Sequence, residues 1–326
     1  MSFDAHITEF AGLEILDFPV DPDAPLPDGS AEAEPRAWRI DCGKDRDEEH
    51  RSDFDTVFES FLARVDTTRV AALVTGLWSE WPEPEDDTVV ELLCAHADRF
   101  PALRAVFIGE LIREQCEVSY IPLKPVTPLL AAYPRLEQLW VRGGTDPDVV
   151  GGIGVPIIAP AEHDSLCTLV IQSGGLDPAT VRAVAECDFP ALEHLEFYFG
   201  HPGYGGHATP ADIDWLLAGD RLPNLRHLGL RDSVVQDDFA VAVAHAPVVA
   251  QLRTLDLSLG TLGDAGAAAL LAGQPLGHLA RLDLHHHYLS EEMQGRLRQA
   301  WPGVEIDLSQ PHREDRRGRR YIAVAE

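Results

Sequence analysis

One phrase recurs along the chain: two apolar residues three apart, then another two positions further on. Seven segments share it: LRAVFIG from Leu103, LEQLWVR from Leu136, LCTLVIQ from Leu166, LEHLEFY from Leu192, LRHLGLR from Leu225, LRTLDLS from Leu252 and LARLDLH from Leu279. Their starts step by 33, 30, 26, 33, 27 and 27 residues. VAALVTG, from Val70, is an irregular earlier copy, and VEIDLSQ, from Val304, a shortened last one. Self-similarity at this period constrains the fold strongly, because one short unit cannot bury its apolar side alone. Within the phrase, apolar residues at alternate positions point inward and their neighbours outward, so each copy reads as a strand. Stacked copies predict a parallel sheet.

The returns between strands read mostly as helices. LGDAGAAALLAG (262–273) is an alanine-rich run closed by glycine, and SEEMQGRLRQAWPG (290–303) opens on a Ser290 cap with acids in its first turn. DPATVRAVAECDFP (177–190) and TPADIDWLLAG (209–219) place a cap residue before a proline. DTVVELLCAHADRFP (87–101) and DDFAVAVAHAP (237–247) follow the same logic. The return between Leu136 and Leu166 is rich in glycine and proline and reads as a loop; its GGIG lacks the Lys-Ser/Thr of a phosphate loop. The expected architecture is an α/β solenoid, a horseshoe with a parallel concave sheet and a mostly helical convex side. Residues 66–308 form its repeats. Residues 1–65 are read as an α+β N-terminal cap, with FAGLEILDF and PRAWRIDCG as strands and SDFDTVFESFLARV as a helix presenting Phe54, Val57, Phe58, Phe61 and Leu62. Residues 309–326, carrying Arg313, Arg316, Arg317, Arg319 and Arg320, are read as a mobile basic tail.

LRTLDLSLGTLGDAGAAALLAGQPLGHLARLDLHHHYLS resembles ribonuclease-inhibitor-type leucine-rich repeats. The chain as a whole, including FAGLEILDFPVDPDAP and HHHYLS, is similar to a bacterial, largely actinobacterial family of cytoplasmic leucine-rich-repeat proteins of unassigned activity. That resemblance implies a non-enzymatic scaffold, of a kind that accompanies radical-SAM-type enzymes. The chain departs from the repeat phrase where asparagine is usual, carrying Gly144, Gly174, Gly200, Ser233, Gly260 and His287 instead.

A net charge of −28 repels phosphate backbones and anionic membranes, so neither nucleic acid nor membrane is an expected partner. The start lacks a basic region followed by an apolar run, no apolar stretch reaches about 18 residues, and the five cysteines form no CxxC pair. A cytoplasmic protein with reduced thiols is expected. Outward strand positions align in columns on the concave face, and the residues taken as partner-binding are Trp140, Arg142, His194, Glu196, Tyr198, His227, Arg231, Asp256, Asp283 and His285. His194 and His227 occupy equivalent positions of adjacent units, about 5 Å apart, within reach of one ion if Glu196 turns toward them. Ordinary surface hydrogen bonding is the expectation, with no metal and no cofactor. No HExxH, Walker, GxSxG or CxxC pattern is present, and Asp283 beside His285 is not expected to form a base and its orienter, since alternate strand residues need not touch. The chain is therefore read as a non-catalytic scaffold or adaptor for a protein partner, with a metal- or small-ligand-binding enzyme accessory as the alternative. Within HHHYLS, His285 faces outward, His286 turns, and His287 bonds the next unit's backbone from the asparagine position.

Overall fold

The computed structural model describes residues 3–21, 23–30, 34–43, 53–78, 88–144 and 155–324. Their strands are β1 (Glu9–Phe10), β2 (Leu13–Asp17), β3 (Arg36–Ile40), β4 (Val70–Thr75), β5 (Ala105–Ile108), β6 (Gln138–Arg142), β7 (Thr168–Gln172), β8 (His194–Gly200), β9 (His227–Ser233), β10 (Thr254–Asp256), β11 (Arg281–Asp283) and β12 (Glu305–Asp307). All twelve lie in one open sheet in chain order. Only the β1–β2 pair is antiparallel.

Strand pairing follows the repeated phrase. Leu139, Leu169, Leu195, Leu228, Leu255, Leu282 and Ile306 are matched across β6 to β12. The six leucines are fully buried in the main core, together with Phe239, Leu270 and Leu297 from the helical returns. Truncating any one of them to alanine should cost about 2–5 kcal/mol. A one-residue slip would turn the whole leucine row to the other face, so this row sets the register.

Eight α-helices occur among the described residues: α1 (Phe54–Arg64), α2 (Val89–Ala95), α3 (Thr127–Ala132), α4 (Pro178–Ala185), α5 (Asp214–Leu217), α6 (Gln236–Val243), α7 (Asp264–Ala272) and α8 (Glu291–Ala300). Three of the expected cap residues act as caps, whereas α6 begins after Val235 without a side-chain cap and Asp87 lies outside the described residues. Asp177 accepts from the Ala179 N–H, Ser290 from the Met293 N–H, and Thr209 closes a capping box with Asp212 before α5. Helix α1 buries the five apolar residues read from its pattern. The GGIG turn lies outside the described residues, as does most of the charged stretch after Gly43. Within the expected loop, residues 155–165 contain no helix.

Strands β2 and β3 are parallel to β4 and continuous with it, so the described strands of the expected N-terminal cap belong to the same sheet. The segment to residue 324, expected to be mobile, packs back along the ends of the preceding strands. Tyr321 N–H donates to the Tyr288 hydroxyl, Ala323 N–H to Leu259 O, and Val324 N–H to Asp232 Oδ1, at 2.8, 2.8 and 2.9 Å. Val324 is buried there.

The sheet face turned away from the helices is also covered. After a tight turn at Ala11 and Gly12, the β1–β2 hairpin lays Phe10, with Ile7, Leu13 and Ile15, over Ala37, Ala72, Val74, Ala105 and Phe107. Further along, Phe3 and Val324 meet in one cluster with Val118, Val170, Tyr198 and Leu259. Both ends of the described chain thus converge on the middle of this face. No helix among the described residues is long and apolar enough to cross a membrane.

Candidate functional site

The alternation that sends Leu195 and Phe197 into the helical core sends His194, Glu196 and Tyr198 to the opposite face of β8. His227 and Arg231 stand beside His194 and Tyr198 on β9, and Gly229 stands beside Glu196. That glycine is required by contact: a Cβ at Gly229 would lie 2.7 Å from Glu196 Cγ. Glu196 consequently leans across β9. Its Oε1 lies 2.9 Å from Nε2 of both His194 and His227, and its Oε2 accepts from Arg231 NH1 at 2.8 Å. Arg231 Nε reaches Ser258 Oγ at 3.1 Å and Asp256 Oδ2 at 3.2 Å, and the guanidinium lies 4.7 Å from the Tyr198 ring centre.

Burial alone would raise the Glu196 carboxyl, but Arg231 and the two imidazoles outweigh it and hold it well below the usual carboxylate range. Asp256 shares the same guanidinium but is raised, because its burial outweighs Arg231. Glu196 is therefore the anion that the cluster stabilises most. The imidazoles of His194 and His227 stack at 3.7 Å with 6° between their planes, half-exposed above it.

A second polar group lies two strands away. Asp283 Oδ1 is 2.7 Å from His285 Nδ1, and Arg281 bridges Asp283 to Asp307 at 2.8 Å each and also meets Glu305. The contact between Asp283 and His285, not expected from sequence, is thus made. Burial opposes the Asp283 charge, but its bonds to His285 and Arg281 win and depress its pKa. The histidine triplet points three ways. His285 meets Asp283, His286 Nε2 meets Tyr321 O, and His287 accepts from Leu289 N–H at Nδ1 while its Nε2 donates to Leu308 O. Accepting at Nδ1 fixes the proton of neutral His287 on Nε2.

Of the residues read as a contact surface, Trp140, His194, His227 and His285 are half-exposed. Arg142, Glu196, Tyr198, Arg231, Asp256 and Asp283 are buried, which corrects their expected exposure. Arg142 shows why. Phe3 lies over its guanidinium at 4.5 Å, and its Nε donates to Gln172 Oε1 at 2.8 Å. Burial lowers its pKa to about 10. The accessible strip is instead the row at the strand starts: Gln138, Thr168, His194, His227, Thr254, Arg281 and Glu305 are in unbroken register, six of them half-exposed and Glu305 exposed. Only His194 and His227 of this row were singled out from sequence. Their third position in the phrase, one residue before the second leucine, is the signal that also marks the others.

A crystal structure of a Bacteroides fragilis protein, a structural-genomics target, is similar to this chain, with a TM-score of 0.73 and 27% identity over 82% of this chain and 72% of that one. No protein-family model and no curated protein matches the chain. The neighbour and the twelve-stranded sheet fit a repeat-type α/β fold.

Proposed function

We propose that the chain is a leucine-rich-repeat solenoid with ribonuclease-inhibitor-like units, of the actinobacterial cytoplasmic type its sequence resembles, and that it acts as a non-catalytic scaffold. Its partner is a protein, bound along the strand-start edge of the concave face. The observation carrying this reading is the registered row from Gln138 to Glu305. Seven side chains at about 4.8 Å per strand span roughly 29 Å, a length that suits a polypeptide segment better than a small molecule. The chain's net charge of −28 favours a basic or neutral partner over nucleic acid or an anionic membrane.

Three baits incubated with source cytoplasm test this: the unmodified chain, Thr168→Glu with Thr254→Glu, and Val241→Glu. Val241 is 54% exposed on α6, far from the row. A partner held by the first and third baits and lost by the second is the expected result. Retention by the row variant with loss from Val241→Glu would place recognition on the helical side and refute the proposal.

A further inference from the structure

Stacked imidazoles cannot both point at one oxygen. With ring centres 3.7 Å apart and planes 6° from parallel, an oxygen 2.9 Å from both Nε2 atoms lies between the two ring planes and cannot be in line with both N–H directions. Glu196 Oε1 accordingly makes a hydrogen bond with His194 Nε2, whereas His227 Nε2, at the same 2.9 Å, is buried without a hydrogen-bond partner. Protonating both rings would stack two like charges. Leaving both neutral strands the second nitrogen at a cost of about 1–3 kcal/mol. A cation accepting both ring lone pairs and one carboxylate lone pair removes the conflict.

The donor set suits such an ion. All three ligand atoms lie within 4.8 Å of one another. Ligands about 2.1 Å from an ion are about 3.0 Å apart in an octahedral arrangement and about 3.4 Å apart in a tetrahedral one, so the 2.9 Å spacings between Oε1 and each Nε2 need to open by about half an ångström or less. Arg231 occupies Oε2, which leaves Oε1 as a single-oxygen ligand and orients it. Asp256 lies against the same guanidinium and offsets its charge. Both rings are half-exposed, although His227 Nε2 itself is buried. The neighbouring group of Asp283, His285 and Asp307 differs, because Arg281 already bridges its two carboxylates.

We propose that His194 Nε2, His227 Nε2 and Glu196 Oε1 bind one divalent first-row transition ion, with Arg231 positioning the carboxylate. The two rings open from their parallel stack to aim at it. His194 and His227 also belong to the row proposed to meet the partner, but ion binding by the isolated chain is tested without one.

The test uses tag-free, chelator-treated full chain titrated calorimetrically with zinc chloride, and separately with cobalt(II) followed by visible absorption. One equivalent of zinc should bind the unmodified chain and His285→Ala alike. His194→Gln with His227→Gln, whose folding is checked by circular dichroism, should bind about 100-fold more weakly or not at all. Bound cobalt should show ligand-field bands without thiolate charge transfer. If the double variant unfolds, Glu196→Gln takes its place under the same criteria. No stoichiometric zinc on the unmodified chain, undiminished binding by a folded variant, or a thiolate band assigning the ion to cysteine would each overturn the site.

Discussion

Replacing Phe3 by alanine tests whether the chain's own end holds the second sheet face closed. Phe3 is 6% exposed, meets Tyr198 edge-on with ring centres 6.1 Å apart, and roofs the buried Arg142 guanidinium. Its burial is worth about 1.5–3 kcal/mol, the edge-on pair about 1 more, and the desolvated cation–π contact about 1–2. Undocking of the segment limits the net loss, since water then reaches Arg142 and Tyr198, and we expect about 3 kcal/mol. At about 2.1 cal/mol/K of unfolding entropy per residue over 326 residues, that lowers Tm by about 4 °C. Calorimetry reads the shift, and hydrogen exchange reads its location: Arg113 N–H, which donates to Phe3 O at 2.8 Å, should exchange faster. Phe3→Leu, which keeps most of the apolar area, should lose only about 1 kcal/mol. An unchanged Tm together with unchanged protection at Arg113 would refute the covered face.

Asp232 is fully buried, with Oδ1 accepting from Val324 N–H and Oδ2 buried without a partner, and burial raises its pKa well above the usual value. A raised folded-state pKa means that the carboxyl favours folding only below its unfolded value, and that this support is lost as pH rises through the folded one. Asp232→Asn, neutral at every pH and tolerant of the φ of 56° there, should stabilise the protein at pH 7 by about 1 kcal/mol, the advantage shrinking toward pH 4. A pH series of melting curves decides it, and a lower Tm for the variant at pH 7 rules it out. Cys42, whose thiol burial and the Asp41 charge push up to about 12, should resist iodoacetamide at pH 8 in the folded protein. Peptide mapping showing Cys42 alkylated as fast as a free thiol would contradict this.

The leucine rows were legible because alternate inward leucines repeat the same phrase, and the helix starts because Asp177, Ser290 and Thr209 are oxygen-bearing caps. What lies above the outward columns was not, since exposure there depends on segments far away in the chain, 97 residues for Phe10 on Phe107 and 195 for Phe3 on Tyr198. A signal did exist. VAALVT in β4 and AVFI in β5 are apolar on both alternations, the mark of strands covered on both faces. Phe3, Ile7 and Phe10 at one end and Ala323 and Val324 at the other are among the apolar residues that cover this face. Helix α3 carries Pro128 in its first turn, where no backbone donor is needed. The Glu196 cluster was half visible: equivalent histidines on adjacent units were noted, but Gly229, the vacancy that lets Glu196 lean between them, was not.

The meeting of Phe3 and Val324 on Tyr198 also sets an order of events during synthesis. The 195 residues separating Phe3 from Tyr198 take about 10–40 s to translate, and Phe3 cannot meet that ring before then. Val324 can dock only after every strand is made. Until both arrive, the apolar patch around Val170 and Tyr198 faces solvent, an aggregation hazard that a stalled or truncated nascent chain would retain.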